Sequence, residues 1–315
     1  LLILSVSLYV GLKFSQRLPN ISLQTWLGAC WVACAIGFGT TLWLDRDTPS
    51  HPIAWAVSLS LIICLMLPHA MTWPTARGKG MLWLGMGLGV VGVLMSQSRG
   101  AYGIVLWTLW ILGFSQLTHK QGLTARLLLG LGVLGALLVW AINDPHDGLR
   151  MQEFMTQWSA SSQQLEEGAN SSVGARLFLW QKAWSAIQAH PLLGYGAEST
   201  VLQIETWGRS IASAEVMRLG HLHHEFLDAW MTHGVLGLLS SLSYPLGLGW
   251  MCWHLRKSHP KTSAMLLGIL WMHMSASLSN VNLAHNYYGT VLALCIGLAL
   301  WLGQHETLQT PHTAE

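Results

Sequence analysis

Charge is what this sequence has least of. Only 10% of its 315 residues are Asp, Glu, Lys or Arg, against 52% hydrophobic, whereas an ordinary soluble domain carries roughly 25% charged residues. With a mean hydropathy of +0.42, that shortage argues against a water-soluble globular fold. The formal net charge of +2 is too small to argue for a nucleic-acid partner. Cysteine is scarce and unpatterned: Cys30, Cys34, Cys64, Cys252 and Cys295 all fall inside apolar stretches without CxxC spacing, so they read as small packing residues. A P-loop, a GxGxxG following a strand, an HExxH and an internal repeat are all missing, which leaves nucleotide and metal chemistry without support. The start lacks a basic n-region and a small-residue cleavage site, and 1–12 is already apolar. It reads as an internal helix, and the chain as the carboxy-terminal part of something longer.

What is present is a series of apolar runs. A spanning helix needs about 20 mostly apolar residues, because each adds ~1.5 Å and the hydrocarbon core is ~30 Å thick. Nine segments qualify or nearly do: 1–12, 22–44, 53–73, 81–98, 101–117, 123–142, 225–255 with Pro245 as the expected kink, 263–280 and 287–303. The connections alternate in charge. One set holds Lys13, Arg17, Arg77, Lys79, Lys120, Arg126, Arg256, Lys257 and Lys261 without an acid, and is cytoplasmic by the positive-inside rule. The other set carries twelve of the 14 acids. The expected architecture is therefore an all-α, polytopic transmembrane bundle of about nine helices. It divides into amino-proximal helices over 1–142, a long periplasmic loop over 143–222, carboxy-proximal helices over 223–303, and a cytoplasmic tail over 304–315.

A loop that long is more than a connector. Its middle, 159–172, is rich in Ser, Gln and Glu and is expected to be mobile. Beyond it Leu177, Trp180, Trp184 and Ile187 recur at helical spacing, predicting an amphipathic helix at the membrane interface.

Three places could carry chemistry. Arg99 ends an apolar segment and is followed at once by the start of the next, so a tight hairpin presents a guanidinium at the outer face. Its plain alternative is a snorkelling contact with lipid headgroups. Arg176 stands at the head of the amphipathic helix, where it could hold an anion beside the helix's free N–H groups or simply be solvated. Two guanidiniums on one face fork onto phosphate oxygens and keep their charge. His221, His223 and His224 form the densest ionisable cluster, where the loop re-enters the membrane. An imidazole there can take a proton from a sugar hydroxyl, or cap the helix. Zinc would need a further ligand from Glu225, Asp228 or His285.

Taken together the pieces resemble the O-antigen ligase and polymerase superfamily, membrane glycosyltransferases that use polyprenyl-diphosphate-linked glycans. Ser98-Arg99-Gly-Ala looks like its SRG(A) signature. Arg176-Leu-Phe-Leu-Trp180 and Pro191-Leu-Leu-Gly194-Tyr-Gly196 look like its R-x3-W and P-x2-G-x-G region. His223-His224, nine residues, Gly234, two residues and Gly237 follow its ligase pattern. The residue after the motif histidine is usually Asn, Ser or Gln, whereas here it is His224; the register from Gly234 selects His223. The resemblance implies a multi-pass protein of the bacterial inner membrane that moves a glycan from undecaprenyl diphosphate to a lipid A-core sugar hydroxyl. It implies inversion and needs no metal or cofactor. His223 would be the base, with Arg99 and Arg176 on the leaving diphosphate. His221, His224 and Trp180 would bind substrate. A polymerase or a protein O-oligosaccharyltransferase would use the same site with another acceptor. Outside the superfamily the rivals are a polysaccharide transporter or flippase, which calls for mid-membrane charges and paired broken helices, and a structural scaffold.

Overall fold

The computed structural model of the chain describes residues 22–44, 52–116 and 151–309, and every regular element among them is helical. α1 spans Leu23–Trp43, α2 Pro52–Thr72 and α3 Ala76–Met95. After a 3-10 turn at Arg99–Ala101 comes α4, Gly103–Gln116. The long polar region holds α5 (Met151–Gln163), α6 (Leu165–Gly168), α7 (Ser172–Ala189), α8 (Ala197–Ser210) and α9 (Ala214–Arg218). α10 (Glu225–Leu255), α11 (Pro260–Ser277), a 3-10 turn at Asn282–Ala284 and α12 (Asn286–Gln309) follow.

Seven of the nine expected segments fall on these helices; those at 1–12 and 123–142 lie outside the described residues. By length and apolarity α1, α2, α3 and α10 can cross a membrane, and Tyr287–Gly303 is a shorter apolar stretch. α4, with 14 residues, and α11, with 18, lie on the remaining two expected segments but, among the described residues, do not reach spanning length and apolarity.

The described chain divides into two compact units. The first comprises residues 22–44, 52–108, 244–276 and 283–309. α2 is its buried centre, with α1, α3 and α12 packed around it. Its hydroxyls bond backward along the helix, Ser58 to the Ala54 carbonyl at 2.7 Å and Ser60 to that of Ala56 at 2.9 Å. Such internal satisfaction is what an apolar surrounding demands of a polar side chain. Trp26 of α1 meets Trp301 of α12 edge-on at 5.8 Å. Small residues bring α3 close to α1, since a side chain at Gly92 would lie 3.1 Å from the Phe38 Cα. All five cysteines are buried.

The second unit comprises residues 109–116, 151–243 and 277–282. It has its own core of Ala175, Phe178, Leu179, Ala183 and Ile187 from α7, with Ile204, Val216, Leu222 and Met231. Two expectations are corrected here. The 159–172 stretch is largely helical rather than loose. Phe154 stacks on Trp158 at 6.1 Å, Ser161 is fully buried, and Gln157 accepts the Val173 N–H at 3.2 Å. The Gln157 bond ties α5 to α7 despite the polar composition. The buried face of α7 is also rotated from the expected stripe. Ala175, Phe178, Leu179, Ala183 and Ile187 lie inside, while Trp184 is 48% exposed. The alanines allow close packing but carry too little hydrophobicity to mark a stripe.

Candidate functional site

The site is assembled around a break in α10. At Gly234 the backbone adopts φ 63°, ψ −156°, a region essentially closed to residues with a Cβ. The helix thus has a break at Gly234 that the sequence reading did not anticipate, besides Pro245, which sits inside the helix. A break in a helix strands carbonyls that must find other donors. Here the Pro191-to-Gly196 loop supplies them: Tyr195 N–H donates to the Met231 carbonyl at 2.9 Å, and Gly196 N–H to that of Thr232 at 2.8 Å. In return Val235 N–H donates to the Leu192 carbonyl at 3.2 Å, and the Trp230 indole to that of Pro191 at 3.0 Å. The loop approaches so closely that a side chain at Gly194 would lie 2.6 Å from the Gly234 nitrogen. The glycines of the two sequence motifs thus meet as one joint.

About two and a half turns before this break, α10 begins at the histidine segment. His224 is its N-cap, and the His224 Nδ1 accepts the Leu227 N–H at 3.4 Å. That is the task an Asn or Ser performs at such a position, and it accounts for the departure from the usual motif residue. Burial holds the His224 imidazole below its ordinary pKa. His223 is 7% exposed with φ 52°, a left-handed backbone that costs a non-glycine residue about 1–2 kcal/mol. Its N–H donates to His221 Nδ1 at 3.2 Å, and the two rings lie 4.2 Å apart. In the neutral form His221 therefore carries its proton on Nε2. Between them Leu222 is wholly buried. Its N–H donates to Asp228 Oδ1 at 2.8 Å, and its carbonyl accepts the Trp180 indole N–H at 2.9 Å. Trp180 also meets the His224 ring edge-on at 5.3 Å. Glu225, at the first position of α10, is 4% exposed and accepts the Ser277 hydroxyl at 2.8 Å.

α7 brings the arginine. Arg176 and Trp180 are four residues apart and share a helix face; since Trp180 rests on the histidine segment, that face looks toward it. The expectation that Arg176 works beside vacant helix N–H groups is corrected. α7 starts at Ser172, which puts Arg176 in the second turn. Three of the first-turn amides are already taken: Val173 by Gln157, Gly174 by the Ser171 hydroxyl and Ala175 by the Ser171 carbonyl.

Arg99 belongs to the first unit. It opens the 3-10 turn between α3 and α4 and is half-buried. The preceding turn is built by its own hydroxyls: Ser96 Oγ donates to the Val93 carbonyl at 2.7 Å and accepts the Ser98 N–H at 3.3 Å. A short turn joins the two helices where the sequence reading expected one. The second unit gathers Arg176, Trp180, His221, His223 and His224. Sequence reasoning overlooked Asp228 as anything but a possible metal ligand. Its signal was an acid in the first turn of a helix, five residues after the motif histidine.

Residues 84–242, half the chain, match the model of a protein family described as O-antigen ligase. That stretch includes Arg99, Arg176, Trp180, the three histidines and Gly234. An uncharacterised protein of Haemophilus influenzae is 22% identical over 156 residues, an alignment covering 48% of this chain and 38% of that protein. The match thus spans well under half of that relative's length.

Proposed function

This chain belongs to the O-antigen ligase family, and we propose that it transfers a glycan from undecaprenyl diphosphate to a sugar hydroxyl of lipid A-core at the periplasmic face of the bacterial inner membrane. Family membership and the apolar helices make it a membrane enzyme of the ligase or polymerase type.

In the proposed reaction the acceptor oxygen attacks the anomeric carbon while the bond from that carbon to the diphosphate oxygen breaks, inverting the configuration. His223 takes the acceptor's proton, a contribution of about 10² to 10⁴-fold. The electron pair of the broken bond leaves with the diphosphate, so negative charge grows on its oxygens. A guanidinium that stays cationic and forks onto two oxygens stabilises that charge. Arg176 has this role from its place on the Trp180 face. Arg99 takes the same chemical role from the Ser98-Arg99-Gly-Ala signature.

The observation that supports the reading most is the fixed backbone around His223. A histidine held at φ 52° by its neighbours' hydrogen bonds is oriented before substrate arrives, as a general base requires. The test is reconstitution in liposomes with a labelled undecaprenyl-diphosphate glycan, offering lipid A-core, a second lipid-linked glycan and a pilin-type serine peptide as acceptors. Transfer to lipid A-core supports a ligase. Transfer only to the lipid-linked glycan or the peptide replaces it with a polymerase or a protein glycosyltransferase, and no transfer to any acceptor contradicts the proposal.

A further inference from the structure

Leu222 has no reactive group, yet both of its backbone polar groups are held by side chains from elsewhere. Asp228 reaches back from the first turn of α10 to take its N–H at 2.8 Å, and Trp180 comes across from α7 to its carbonyl at 2.9 Å. The first contact extends the logic of a capping box, in which a side chain inside a helix ties down the chain just before it. Immediately after Leu222 comes His223, in the left-handed conformation that an ordinary side chain leaves unless its surroundings hold it. Immediately before comes His221, whose Nδ1 accepts the His223 N–H at 3.2 Å. Leu222 is thus the fixed point on which both imidazole orientations depend, and two side chains fix it.

We infer that Asp228 and Trp180 are positioning residues that clamp Leu222 and so present the His223 imidazole at a set angle to the acceptor hydroxyl. Neither touches the reacting atoms. The two anchors act on opposite ends of one residue. Losing either lets the backbone at 222–223 turn toward an ordinary extended or helical conformation, carrying the His223 side chain with it. What Asp228 supplies is an acceptor oxygen, which an asparagine amide also supplies. The inference rests on His223 being the base, and it assigns Trp180 to the protein's own backbone rather than to substrate.

The experiment compares initial rates of glycan transfer in liposomes for the full chain and for Asp228→Ala, Asp228→Asn, Trp180→Phe and His223→Ala, varying donor and acceptor separately. Asp228→Ala and Trp180→Phe should lower kcat by about 10- to 100-fold, the effect of a displacement on the order of 1 Å, with KM for both substrates unchanged. Asp228→Asn should recover most of the rate. The clamp is overturned if Asp228→Ala keeps its kcat, if KM rises while kcat holds, or if Asp228→Asn is as slow as Asp228→Ala. Should Asp228→Ala not accumulate in the membrane, Trp180→Phe decides, and a normal kcat for it overturns the clamp. An inactive His223→Ala beside an active Asp228→Ala sinks the clamp alone. A fully active His223→Ala sinks the assignment of the base itself.

Discussion

One methyl group at Gly234 is expected to cost about 4–6 kcal/mol, a large part of a typical folding margin of about 5–15. An alanine there would have to hold φ 63°, ψ −156°, at a cost of order 1–3 kcal/mol. Its Cβ would press inside contact distance of the Leu192 carbonyl and lie 2.6 Å from the Leu193 nitrogen, both of them backbone atoms. The loop must then withdraw, releasing the bonds Tyr195 to Met231, Gly196 to Thr232 and Val235 to Leu192, each worth about 1 kcal/mol net. At roughly 2–4 °C per kcal/mol, Tm should fall by about 10–20 °C. The assay is thermal unfolding of the detergent-purified protein, read by tryptophan fluorescence and by the fraction remaining monodisperse. Gly247→Ala is the control, because that position lies in the same helix with open space around it. It should be neutral or more stable by up to about 1 kcal/mol, the helix preference of alanine over glycine. A Gly234→Ala protein that melts with the wild type, or a Gly247→Ala protein that falls as far, would refute the reasoning.

Other consequences are testable in the same preparations. Arg176→Lys should retain the fold but lose at least about tenfold in transfer rate, because an ammonium cannot fork onto two phosphate oxygens; an unchanged kcat with Lys would contradict the bidentate role. His224→Asn should remain active, since an amide oxygen can accept the Leu227 N–H in place of Nδ1. It should also be less sensitive to acid. The folded pKa of His224 lies below its ordinary value of 6.5, so as pH falls the unfolded chain takes up the proton first. The stability contributed by the neutral ring is full above 6.5 and is lost as pH drops through that value toward the lowered one. Melting curves between pH 8 and pH 5 should therefore be flatter for the Asn variant, and identical slopes would remove the argument. Ser277→Ala withdraws a donor from the buried Glu225 carboxylate and should destabilise by about 1–3 kcal/mol, seen as a lower Tm in the same melts.

Hydropathy alone located the helices at 22–44, 53–73 and 225–255, because an apolar run of spanning length leaves the backbone few other ways to satisfy itself. The motif residues were legible as identities. Their partners were not, because the contacts that give them meaning join residues far apart in the chain: Trp180 to Leu222, or Gly196 to Thr232. The break at Gly234 was not legible either: proline is the local rule for kinks, whereas this glycine takes its backbone from the 191–196 loop that packs against it. The helical 159–172 stretch was hidden for a related reason, since its order comes from Gln157, Ser161 and Ser213 bonding or packing against other segments, and polar composition alone does not reveal such partners.

The most direct test of the account is single-turnover transfer from undecaprenyl-diphosphate glycan to lipid A-core in liposomes containing wild type, His223→Ala or Arg176→Ala, with stability and insertion matched beforehand. The account predicts that wild type forms the glycosylated acceptor and releases undecaprenyl diphosphate in equal amounts, while both variants fall by at least about 10²-fold. Wild-type rates from the His223→Ala protein would contradict it.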